Sequence, residues 1–132
     1  MMRVTLGLVA MCLTVVAFPA SAHHSHGNYQ DAFIDVVGEV KEVHLLVPHS
    51  FVYIEVKSAS GEPQVWALEA TSRLGLERAG LTTGSLKVGD MVKARCHALR
   101  DGSNGCLLGF LKGKDGAVKD WDGGNLPAPA DF

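Results

Sequence analysis

Residues 50–57 alternate with a period of two. Ser50, Val52, Ile54 and Val56 fall on one side of an extended strand, and Phe51, Tyr53 and Glu55, led by His49, fall on the other. The segment 34–44 is rich in β-branched residues around Gly38 and predicts a long first strand bent at a glycine bulge. Ser60-Gly61-Glu62-Pro63 marks a turn, and a third strand is expected over 64–69. The period then changes: Ser72 offers an N-cap for a short helix over 73–79, which Gly80 ends. Beyond Val88-Gly89-Asp90, strands are expected over 91–98 and 106–111, and the turn Gly113-Lys114-Asp115-Gly116 leads to 117–121. Three strands, a short helix and two strands is the order of the five-stranded Greek-key barrel of the oligonucleotide/oligosaccharide-binding (OB) type. The expected class is therefore all-β with one short helix, and a plain β-sandwich is the competitor, because the pattern does not establish closure.

The first residues follow another pattern. Arg3 precedes a stretch over 4–18 without charge, Pro19 interrupts it, and Ala20-Ser21-Ala22 supplies a small-x-small cleavage site. About 15 apolar residues fall short of the roughly 20 that span a bilayer. Residues 1–22 are therefore expected to be a cleaved signal peptide, and the protein to be periplasmic or secreted. Cys12 lacks the small residues that should follow a lipidated cysteine at a cleavage site. Cleavage leaves 110 of the 132 residues, enough for one domain. That chain divides into a His-rich segment (23–33), an OB-like barrel (34–121) and a Gly/Pro-rich tail (122–132) expected to be flexible.

Charge narrows the partners. Twelve Lys and Arg stand against 14 Asp and Glu, Arg3 leaves with the leader, and no basic cluster appears along the chain. Nucleic acid is therefore not expected as a partner, nor is a stable membrane span after cleavage. Two cysteines remain, Cys96 and Cys106, on either side of a segment crowded with turn formers. As cross-strand neighbours in an oxidising compartment they should form a disulfide, and the alternative is a pair of buried thiols.

Ala22-His23-His24-Ser25, Pro48-His49 before an aromatic strand, Trp66-Ala67-Leu68-Glu69, Leu86-Lys87-Val88-Gly89-Asp90 and Arg100-Asp101-Gly102-Ser103 occur here in that order. In these motifs the chain resembles domain of unknown function 6152, small exported proteins of Gram-negative bacteria. The resemblance implies export but no particular chemistry. Where members usually carry Asn-Pro-His, this chain has Val47-Pro48-His49, so a role for that Asn side chain is lost. The two mature cysteines are not part of the pattern.

The candidate chemistry lies in the histidines. His23, His24 and His26 fall within the first four mature residues, and His49 opens the second strand. Imidazole is the commonest protein ligand for late transition metals. Cleavage after Ala22 would give His23 both a ring nitrogen and a terminal amine, the bidentate arrangement of a copper histidine brace, with His49 as a third nitrogen beside Phe51 and Tyr53. About eight residues separate His26 from the first strand, at roughly 3.3 Å each, so the terminus can fold back over the barrel. Cleavage after Ala20 would instead place His23 third, the spacing that wraps Cu(II) or Ni(II) in a square plane. Zinc held by imidazoles is a further option, with Glu69 as an oxygen ligand. The plainer alternatives are a solvated His-rich spacer and a hydrogen-bonded structural His49. His44 and His97 are read as isolated strand residues.

Phe51, Tyr53 and Trp66 fall on neighbouring strands where OB barrels often bind, so together with Glu69 they form a candidate ligand face; the alternative places Trp66 in the core and Glu69 at the helix start, where an acid suits the dipole. No nucleophile with an evident base, no H-E-x-x-H and no nucleotide loop is present. Two classes follow: a periplasmic metal-binding protein, copper first, or a metal-free module that binds a protein or small molecule through the aromatic face.

Overall fold

The computed structural model describes residues 26–132, so the expected signal peptide, His23 and His24 lie outside the described residues. A 3-10 turn, His26–Asn28, leads into β1 (Tyr29–His44), followed by β2 (Ser50–Lys57), β3 (Pro63–Ala70), the helix α1 (Arg73–Arg78), β4 (Met91–Leu99), β5 (Gly105–Lys112) and the short β6 (Val118–Asp120). The strands run in the order β3-β2-β1-β4-β5-β6, and β3 also pairs with β5. That last pairing closes β1, β2, β3, β5 and β4 into a ring, the OB arrangement. β6 pairs with Phe110, Leu111 and Lys112, while β3 pairs with Gly105, Cys106 and Leu107, so the two divide β5 between its two halves.

The interior is the apolar half of the strand alternation. Val52 and Ile54 from β2, Leu68 from β3, Ala94 and Cys96 from β4, and Cys106 and Leu108 from β5 are fully enclosed. Cys96 and Cys106 are disulfide-bonded with Cα atoms 5.6 Å apart. Closing a loop of this length stabilises the fold by roughly 2 to 3 kcal/mol in the chain-entropy model.

Helix α1 inserts buried Leu76 into the core. Its ends follow the expected signals. The Ser72 hydroxyl accepts the Gly75 N–H, and at the other end Gly80 N–H and Leu81 N–H donate to the Glu77 and Leu76 carbonyls. That is a Schellman ending, which requires the left-handed φ of +80° at Gly80.

Three expectations about local structure are corrected. β1 starts at Tyr29 rather than at residue 34. Gln30 and Asp31 break the apolar pattern, yet Tyr29 pairs with Leu99 across an irregularity, and Arg100 N–H donates to the Asn28 carbonyl at 2.9 Å. The second correction concerns Gly38, where no bulge falls: β1 is irregular between Tyr29 and Phe33 and between Val40 and Glu42. Gly38 instead permits close approach as β1 passes from β4 to β2, since a Cβ there would lie 2.5 Å from the Glu55 carbonyl oxygen. Third, the Gly/Pro-rich tail lies against the barrel. Asp131 pairs with Arg95 at 2.7 Å, and the Phe132 ring sits over Lys93. Among the described residues no helix is long and apolar enough to cross a membrane.

Gly38→Ala should therefore cost on the order of 2 to 3 kcal/mol, because the obstructing atom is backbone and cannot rotate away. Urea denaturation measures it, and a loss below about 0.5 kcal/mol, the scale of a neutral surface change, would contradict the close-approach account.

Candidate functional site

The loop between β1 and β2 is drawn tight before it delivers His49. The Val47–Pro48 peptide is cis, Leu46 N–H donates to the Ser50 hydroxyl at 3.1 Å, and Arg73 N–H donates to the Leu46 carbonyl at 2.8 Å. Buried Ser50 begins β2 and anchors it to Thr71 through its own N–H. His49 thus stands at a fixed point beside the end of β3.

There it meets Glu69. His49 Nδ1 lies 3.0 Å from Glu69 Oε1, and the Tyr29 hydroxyl donates to Glu69 Oε2. The Glu69 side chain is 12% exposed and that of His49 33%, so a nearly enclosed carboxylate braces a ring that reaches solvent. A carboxylate this enclosed needs polar partners: the Tyr29 hydroxyl at the start of β1 donates to it, and the His49 ring, just before β2, lies within ion-pair distance. Burial first, and the Glu69 hydrogen bond second, push the Tyr29 phenol well above its ordinary value. Tyr29 therefore stays protonated and keeps donating.

Aromatic side chains extend this face. His44 is the register partner of Phe51, Phe51 of Glu69, and Glu42 of Tyr53. The Phe51 and Tyr53 rings stack with centroids 6.2 Å apart, and His44 meets Tyr53 edge-on at 5.3 Å while its Nε2 lies 2.9 Å from Glu42. Phe51 and Tyr53 are half-buried, with part of each ring open on the outer wall.

Of the candidate residues, then, His49, Phe51, Tyr53 and Glu69 are brought together and Trp66 is separated from them. Trp66 pairs with fully buried Ile54 and packs against the core, and its Nε1 is buried with no partner among the described residues. A period of two puts Trp66 on the opposite side of β3 from Glu69. His44 is not isolated, and neither is His97, which stacks on Phe33 at 4.0 Å. Sequence reasoning missed Tyr29, an aromatic among polar neighbours; only its contact with Glu69, 40 residues away, reveals its place.

Two metal-capable side chains, His49 and Glu69, meet here, and among the described residues no group of three or more His, Cys, Asp or Glu could hold a metal. Only the backbone of His26 is described, in the turn three residues before Tyr29.

A closed ring of five strands with a sixth on its flank, carrying a Tyr-Glu-His network and a row of aromatics on its outer wall, defines a small OB-type barrel protein. The chain belongs to the family of unknown function DUF6152, whose model matches residues 10–108. No curated protein matches it. Among solved structures it is similar to the mitochondrial single-stranded DNA-binding protein Rim1 of S. cerevisiae, with a TM-score of 0.48 and 11% identity over 62% of this chain and 92% of that one.

The raised Tyr29 value has a defined sign. The folded state favours the neutral phenol, so its contribution is complete below the ordinary value of about 10 and is lost as pH rises above it toward the raised folded value. Stability of the wild type measured against Tyr29→Phe should converge above about pH 10. A difference that stays constant there would exclude a proton-linked role for the phenol.

Proposed function

We propose that this is an exported barrel protein that binds a transition metal, copper in first place, through its N-terminal histidines together with His49. One observation carries the reading: the contact between His49 Nδ1 and Glu69 Oε1. A metal-binding histidine commonly donates its second ring N–H to a carboxylate, which fixes the tautomer and the ring orientation and raises ligand basicity. With Nδ1 donating, a neutral His49 ring has its lone pair on Nε2. Glu69 is in turn held by Tyr29, as ligand-orienting groups generally are.

The same network supports a route for the remaining ligands. Tyr29 touches Glu69 and is the sixth residue after His23. Three extended residues and the 3-10 turn His26–Asn28 that follows them span up to about 16 Å, which would bring His23 and His24 toward the His49 ring. Imidazole and amine nitrogen donors favour Cu(II) over nickel and zinc in the Irving–Williams order. In this reading the barrel contributes one braced imidazole and the exported terminus contributes the other nitrogens. Cleavage after Ala22 makes His23 a two-nitrogen ligand, and cleavage after Ala20 makes a square-planar site without His49. The proposed role is sequestration or delivery in the periplasm, with no catalytic step assigned.

The stacked Phe51 and Tyr53 rings favour a second reading, a metal-free module that binds a protein or a small molecule through this wall.

The natively exported protein, its terminus defined by mass spectrometry, should bind one Cu(II) per chain more tightly than a free peptide of its first mature residues. His49→Ala and Glu69→Gln should each weaken that binding by about 10- to 100-fold and alter the electron paramagnetic resonance spectrum. Affinity equal to that of the free peptide would reject a built copper site and favour the aromatic-face module. Tight binding indifferent to both substitutions would remove His49 and leave the terminal ligands alone.

A further inference from the structure

The outer side of β4 and β5 carries an arrangement that the candidate site does not use. Lys93 and Lys112 are register partners on adjacent strands, and Arg95 lies two residues along from Lys93. Like charges directly opposite in a sheet are unfavourable, so this cluster calls for a counterpart. Asp35 supplies part of one. It accepts from Arg95 Nε at 2.8 Å and Nη2 at 3.0 Å and lies 3.2 Å from Lys93 Nζ.

The tail supplies the rest. Asp131 Oδ1 accepts from Arg95 Nη1 at 2.7 Å, and Lys112 Nζ donates to the main-chain oxygen of Phe132 at 3.2 Å. The Phe132 ring centroid lies 4.7 Å from Lys93 Nζ, 5.1 Å from Arg95 Cζ and 5.3 Å from Lys112 Nζ. Three cations around one ring use the negative potential of its face. The last anchor before this pair is Leu126, whose N–H donates to Asp120 Oδ2 and whose side chain is exposed. Pro127-Ala128-Pro129-Ala130 follows, a spacer with no polar side chain. Affinity is thus concentrated in Asp131 and Phe132, as in a short peptide motif seated in a slot.

We infer that Lys93, Arg95 and Lys112 form a docking slot for a partner polypeptide bearing an acidic residue followed by an aromatic one, held shut by the chain's own Asp131 and Phe132. Charge complementarity and the seated tail identify the chemistry of the occupant. Tethering sets the threshold: a short linker presents the tail at an effective concentration on the order of millimolar, so a partner must outcompete it.

The test uses full-length protein and a fluorescent peptide of sequence Asn-Leu-Pro-Ala-Pro-Ala-Asp-Phe. The Asp131→Ala/Phe132→Ala variant, verified as folded by circular dichroism, should bind it saturably and at least about tenfold more tightly than the wild type, whose slot is occupied. Adding Lys93→Ala and Lys112→Ala should abolish that binding, and rising salt should weaken it. A peptide with the last two residues replaced by Ala should not bind. Absence of binding to the vacated variant, equal binding to wild type and variant, or binding that survives loss of both lysines would overturn the proposal. Concentration-dependent dimerisation of the wild type, lost with the same lysine substitutions, would assign the slot to a second copy and overturn it as well.

Discussion

The parallel pairing of β3 with β5 turns a meandering sheet into a closed barrel. It consists of Ala67 opposite Gly105, Leu68 opposite Cys106 and Glu69 opposite Leu107, with Ala67 N–H also donating to the Asn104 carbonyl. Gly105 suits the approach: a Cβ there would lie 2.7 Å from the end of the Leu99 side chain and 3.1 Å from the Ala67 carbonyl oxygen, so both neighbours would have to give way. The Cys96–Cys106 disulfide ties β4 to β5 at the same point. Closure hides the core half of each strand and brings β3, whose neighbour in sequence is β2, against a strand that begins 35 residues after it ends.

The candidate site follows from that closure. Glu69 ends up beside Leu107 and under Tyr29, enclosed enough that its charge is costly unless donors approach. Tyr29 approaches from the start of β1 and His49 from the loop just before β2, so one carboxylate of β3 gathers both. The requirement that an enclosed carboxylate be satisfied thereby orients an imidazole at the surface. The orientation of that ring is a consequence of the burial of Glu69.

The outer wall of β4 and β5 obeys the same logic with the signs reversed. Lys93, Arg95 and Lys112 are cations that the register places together, and Asp35 meets two of them. Arg95 holds the Asp35 carboxyl down at about 2, chiefly through its hydrogen bonds, so this part of the wall stays charged through the acidic range. A tail whose Pro and Gly content marks it as loop lies against this wall because it carries the acidic and aromatic groups that such a cluster accepts.

Much of the barrel is legible along the chain because its signals are local. The alternation in 50–57 separates enclosed Val52 and Ile54 from outward Phe51 and Tyr53, Ser72 and Gly80 bound the helix, and the cysteine spacing matches a hairpin bond. The same alternation, carried across the β2–β3 register, sends Trp66 inward. What the residues alone determined is therefore the order of the elements, the two faces of β2 and the expected pairing of Cys96 with Cys106. Only the tertiary structure decided that β3 meets β5, that Tyr29 reaches Glu69, that Gly38 serves close approach rather than a bulge, and that three scattered cations gather beneath Phe132. Each of those depends on which strands become neighbours, and closure energetics set that over separations of tens of residues, beyond the reach of any period of two or 3.6.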